Sequence, residues 1–171
     1  MLENDLAVKN AKKALELDTL NLGVVLGLGE VLYRCNYFNE AIEVLEDMVK
    51  RFPNNKVANS ILGACYYHGG QSGKARHFYE NLSFDPKLIL FYSLPQFYFL
   101  LETGRTEEAM KWREVIEAQP DGKWISPLCI AMVYFGLGQL DKAIEELHRG
   151  IRERDPILWI MHSEPTWRGF V

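Results

Sequence analysis

Alanine recurs at Ala7, Ala41, Ala75, Ala109 and Ala143, each 34 residues after the one before. Alanine makes up only about one residue in fifteen of the chain, so this register constrains the fold more than any composition does. Other columns keep the same phase. Twelve residues before the alanines stand Gly29, Gly63, Phe97 and Ala131, mostly small, where two helices approach closely. Nine before stand Leu32, Tyr66, Leu100 and Tyr134. Four after come Ala11, Leu45, Tyr79, Arg113 and Leu147; seven after come Ala14, Met48, Leu82, Ile116 and Gly150. Pro53, Pro86, Pro120 and Pro156 close the units within one residue of a common phase. A helical spacing inside a 34-residue period describes stacked helical hairpins. The stretch Phe135 to Pro156 is then one copy of a larger unit: a helix end, a glycine turn, an amphipathic helix and a proline stop.

These columns resemble the tetratricopeptide repeat, whose pattern runs Trp-x2-Leu-Gly-x2-Tyr, then Ala-x3-Phe, then Pro. Leu62-Gly63-x2-Tyr66 with Ala75-x3-Tyr79 is the closest copy, and Leu28-Gly29-x2-Leu32 with Ala41-x3-Leu45 and Pro53 is similar. Ile130-Ala131-x2-Tyr134 with Ala143-x3-Leu147 also fits, whereas Gln96-Phe97-x2-Leu100 with Ala109-x3-Arg113 departs from the pattern. The resemblance implies an all-α fold, a right-handed α-α superhelix built as a solenoid of hairpins. The expected organisation is a half-repeat at 4–21, repeats at 22–55, 56–89, 90–123 and 124–156, and a capping segment at 157–171. Helices are expected at 4–17, 22–35, 38–52, 56–69, 72–84, 88–103, 106–118, 126–137 and 140–153, with a short one near 157–162. Pro95 should kink or begin its helix, and Ser126-Pro127 is a helix start. The first unit is a second helix without a first. Its Ala7, Ala11, Ala14 and Leu15 are expected to pack forward on the next hairpin. Its other side suggests either a fragment of a longer protein or a homodimer contact.

Composition excludes several classes of function. The 171-residue chain is 48% hydrophobic and 25% charged, as folded soluble chains are. Its net charge of −4 gives no basis for nucleic-acid binding. The longest apolar run, around Leu88–Leu101, is broken by Ser93, Pro95 and Gln96, which speaks for a core helix and against a membrane span. Together with the lack of a signal-peptide pattern, this points to the cytoplasm. Cys35, Cys65 and Cys129 fit buried thiols in a reducing compartment. His68, His77, His148 and His162 show no metal-ligand spacing. Gly69-Gly70-Gln71-Ser72-Gly73-Lys74 lacks the strand and spacing of a phosphate loop and falls in a hairpin turn. Glu107-Glu108 and Glu145-Glu146 are adjacent acids on exposed helix faces, not a catalytic pair. No enzyme, metal or cofactor is expected.

What the resemblance implies is a surface lined by the first helix of each hairpin. In this register it collects Leu26, Glu30, Tyr33 and Arg34, then Val57, Ser60, Ala64, Tyr67 and His68. It continues with Phe91, Leu94, Tyr98 and Leu101, and with Ile125, Leu128, Met132 and Phe135. Some relatives clamp a C-terminal carboxylate with Lys, Asn and Arg on these helices. Here only Arg34 and His68 come near, so an apolar or aromatic peptide, or a helix, is the expected ligand. Asp at Tyr98 and Met132 is expected to abolish binding while sparing helicity. The tail PILWIMHSEPTWRGFV either caps the array or places Trp159 or Trp167 in the groove until a partner displaces it. The last third is also similar to the C-terminal regions of bacterial signalling proteins with tetratricopeptide tails. It shares Val-Tyr-Phe-Gly-Leu-Gly at 133–138, Ala143 to Leu147, Arg154-Asp155-Pro156, Trp159 and Pro165. The expected function is a non-catalytic scaffold for a protein or peptide partner. Its alternatives are self-association through the N-terminal edge, or a regulatory tail that occupies its own groove.

Overall fold

A computed structural model describes residues 2–81, 90–118, 124–158 and 165, with only the backbone described at 2, 81, 90, 91 and 115. Among these the regular elements are helices, with no strand. They are α1 (Leu2–Leu17), α2 (Leu22–Arg34), α3 (Phe38–Arg51), α4 (Lys56–His68), α5 (Ser72–Asn81), α6 (Leu90–Glu102), α7 (Thr106–Ala118), α8 (Pro127–Gly136) and α9 (Leu140–Glu153). The helix near 157–162 expected from the sequence lies mostly outside the described residues. The chain forms two compact units, residues 1–83 and 84–171. In the first, each of α1 to α5 packs on its neighbour, and α2 also meets α4. In the second, α6 packs on α7 and α8, α7 on α8, and α8 on α9.

The 34-residue period is written into the backbone at the turns. Asn36, Gly70, Gly104 and Gly138 all have positive φ, of 65°, 77°, 74° and 74°. Each is followed by the same closing bond. The amides of Tyr37, Gln71, Arg105 and Gln139 donate to the carbonyls of Leu32, Tyr66, Leu100 and Tyr134 at 2.9, 2.7, 2.8 and 2.9 Å. This bond, from three residues past the helix to its last turn, satisfies a carbonyl that the helix end leaves open. The starts of the first helices repeat too. Asn21 accepts from the amides of Gly23 and Val24 at the start of α2, and Asn55 accepts from Ala58 at the start of α4. Ser126 does the same for α8 through Cys129, with Pro127 in the first turn as the sequence suggests.

The small column marks where hairpin helices touch. A Cβ on Gly29 would lie 2.6 Å from Leu45, and one on Gly63 would lie 2.7 Å from the ring of Tyr79. For Gly63→Ala two effects oppose. Leaving glycine behind in a helix returns about 1 kcal/mol, while overpacking costs about 1–3 kcal/mol. Tyr79 is only 3% exposed and cannot swing aside, so crowding should win. The expected result is a net loss of about 1 kcal/mol, read as a melting temperature lower by about 2–4 °C. An unchanged or higher value would show that the ring relaxes freely.

The departing repeat solves the same contact in reverse. Phe97 fills the column where glycine or alanine stands elsewhere, and its ring lies against Gly136 of α8 and edge-on to Trp112, 5.9 Å between centroids. Both rings are closed from solvent in the core of the second unit. Pro95 neither starts nor ends α6 but sits inside it. The core is finished by Ile157 and Leu158, the first residues of the tail, which pack against it.

That end is held by a buried carboxylate. Asp155, 4% exposed, accepts from the Ser126 hydroxyl at 2.5 Å, from the Leu128 amide at 3.0 Å and from the Ile157 amide at 2.9 Å. One side chain thus ties the chain leaving α9 to the first turn of α8, where the helix dipole favours negative charge.

In α1 the packing differs from expectation. Val8 is buried and Leu15 half-buried, but Ala7 and Ala14 are exposed. Ala41, Ala75, Ala109 and Ala143 are 0%, 0%, 0% and 3% exposed because each meets the first helix of its own hairpin. Ala7 has no such helix among the described residues, so the face carrying it points outward, and Val8 and Leu15 make the forward contact.

Candidate functional site

α2 ends in Tyr33-Arg34 and α4 in Tyr67-His68, one repeat apart, so the period alone places equivalent side chains at the ends of both first helices. The basic residue of each pair falls in the last turn, where it complements the helix dipole. The structure brings these expected residues together. Tyr33 and His68 have ring centroids 6.0 Å apart, and Tyr67 and His68 are 4.8 Å apart. Phe38, from the first residue of α3, completes the patch. It stacks on His68 at 5.9 Å and lies 6.1 Å from Tyr33. Tyr33 is buried, whereas Phe38, Tyr67 and His68 are half-buried. Beside them Arg34 and Glu30 form an ion pair at 2.6 Å across one helical turn. Phe38 was not singled out by the sequence, because it belongs to a second helix and reaches the patch only through the turn at Asn36.

Other expected positions divide by burial. Ser60 and Ala64 of α4 are 0% and 1% exposed. In the second unit Leu94, Leu128, Tyr98 and Met132 are all closed into the core. The Tyr98 hydroxyl donates to the Met132 carbonyl at 2.7 Å, and burial pushes its pKa up, so it stays a neutral donor. Asp at Tyr98 or Met132 would bury a charge and cost stability as well as any binding, so helicity would not be spared. Leu101 and Ile125 are half-buried against that core, and Phe135 is 40% exposed. The Phe91 side chain lies outside the described residues, as do Trp159 and Trp167 of the tail.

The remaining chemistry is structural. Gly70 of the glycine-rich stretch is a left-handed turn residue. Glu108 takes two hydrogen bonds from Arg105, which hold its carboxyl below the usual range. Burial pushes the Glu146 carboxyl up while Arg149, 2.7 Å away, pulls it down. Each acid therefore answers to its own arginine. No group of His, Cys, Asp or Glu among the described residues could hold a metal ion. Cys65 and Cys129 are buried and Cys35 is half-buried, and none of the three is in a disulfide. A cleft of about 490 Å³ beside α1 is lined by exposed charges of both signs, crossed by a Lys12–Glu40 pair at 2.6 Å and a Tyr37–Asp5 hydrogen bond at 2.9 Å. No described helix is long and apolar enough to cross a membrane. No family model, curated protein or solved structure matches the chain.

Proposed function

We propose that the chain is a non-catalytic recognition module of tetratricopeptide type, its hairpins wound as a right-handed superhelix, that binds a segment of a partner protein. The aromatic patch of the first unit carries this reading. Phe38, Tyr67 and His68 are half-buried rings gathered where α2 and α4, first helices of consecutive repeats, end beside the start of α3. Large rings held by their neighbours offer contact area at little cost in side-chain freedom, the property of binding hot spots. The Arg34–Glu30 pair sets a polar edge beside them. The ligand that suits this surface is a peptide or helix with one or two apolar or aromatic anchors, each contributing about 2–3 kcal/mol.

Selection from a displayed library of helical and extended peptides, run against the whole protein, tests the proposal. Enriched sequences should carry aromatic or large aliphatic anchors. Combined Tyr67→Ala and His68→Ala substitution should weaken their binding about thirtyfold or more with unchanged circular dichroism. Failure to enrich any peptide would count against a recognition module, and equal binding by the variant would move the ligand off this patch.

A further inference from the structure

Leu140, Ile144 and Ile151 lie along one face of α9 and are 54%, 54% and 66% exposed. Three repeats earlier the same positions are Phe38, Ile42 and Val49 of α3. There the face is covered. Phe38 stacks on His68 of α4 at 5.9 Å, Val49 packs in the cluster that includes Ala58 of α4, and Ile42 is 7% exposed. The face on α9 is therefore built as a helix-packing surface, and among the described residues nothing covers it.

The charges beside the stripe identify its occupant. Asp141 and Glu145 stand on the first half of α9, His148 and Arg152 on the second, all exposed. None of them meets an opposite charge among the described residues. Turned end for end, this pattern is its own complement. Leu140 then meets the partner's Ile151, Asp141 meets the partner's Arg152, and Glu145 meets the partner's His148. The outward face of α1, with Leu6, Ala7, Ala14 and Leu17, is interrupted by Glu3, Asn10 and Lys13.

We infer that α9 pairs antiparallel with α9 of a second copy of this chain about a two-fold axis, the isologous contact in which one patch serves both partners. One helix face per copy belongs to the small, transient class of interface, below about 1,200 Å² in total. The product is a concentration-dependent dimer, distinct from the aromatic patch and independent of what binds there.

Sedimentation velocity from micromolar to near-millimolar protein reads the equilibrium directly. Ile144→Glu should raise the dimer dissociation constant about a hundredfold or more, and Ile151→Glu should do likewise. Asp141→Arg alone sets arginine against the partner's Arg152, and Arg152→Asp alone sets aspartate against the partner's Asp141. Each should weaken the dimer about tenfold, since the axis doubles every contact. Combining the two reversals restores opposite charges and should return the constant to within about threefold of the original. All these side chains are exposed, so helicity should not change. A chain that stays monomeric throughout overturns the inference. So does a dimer indifferent to both isoleucine substitutions, which would place the contact on another face such as α1, or a double reversal no better than either single one.

Discussion

Trp112→Ala is expected to remove about 3–5 kcal/mol of stability. The ring is 2% exposed and sits edge-on to Phe97, in a core shared by α6, α7, α8 and α9. Deleting it leaves a cavity walled by side chains that already meet other partners, so collapse into the space is limited. Against a usual total of about 5–15 kcal/mol, the second unit should be close to unfolding. Urea unfolding followed by far-ultraviolet circular dichroism measures this. A loss below about 1 kcal/mol would mean that the core around Phe97 closes over the gap.

Asp155→Ala should cost about 3 kcal/mol, because it removes one acceptor from three donors at once. The Ser126 hydroxyl and the Leu128 amide would stay buried, and the amide would have nothing to replace the carboxylate. Ser126 still caps Cys129, so α8 should keep its helix while losing its tie to the chain beyond α9. Asp155→Asn retains an acceptor oxygen and should cost about half as much. Hydrogen exchange locates the effect: amides at the start of α8 and at Ile157 should exchange faster, while those of α2 and α4 should not change. Uniform acceleration along the chain would contradict a local latch.

Much of this fold was legible from residue spacing. Every helix end of α2 to α9 that does not border the undescribed residues falls within one residue of the bound that the 34-residue period suggests, because turn glycines, caps and prolines act locally. The third repeat read poorly for a definite reason. Phe97 and Arg113 depart from their columns, and the glycine that accommodates the large ring, Gly136, stands on another helix at a different phase of the period. The site was legible in part. Tyr33, Arg34, Tyr67 and His68 came together because they share a register, and Phe38 escaped because its place depends on a chain reversal. Leu94, Leu128, Tyr98 and Met132 were expected on an open surface. Apolar periodicity marks a helix face that meets something, without saying whether it meets a neighbouring helix or a ligand. Their burial supplies that distinction.

The four repeated turns bear on how the chain reaches this state. Each is closed by a bond between residues only five apart in sequence, with Asn36 or a glycine already suited to the left-handed bend. Closing so short a loop sacrifices little chain entropy, and it sets two helices side by side before any distant segment has arrived. Every hairpin is therefore a potential nucleus. Order can start at any one and spread to its neighbours, without waiting for the two ends of the chain to meet.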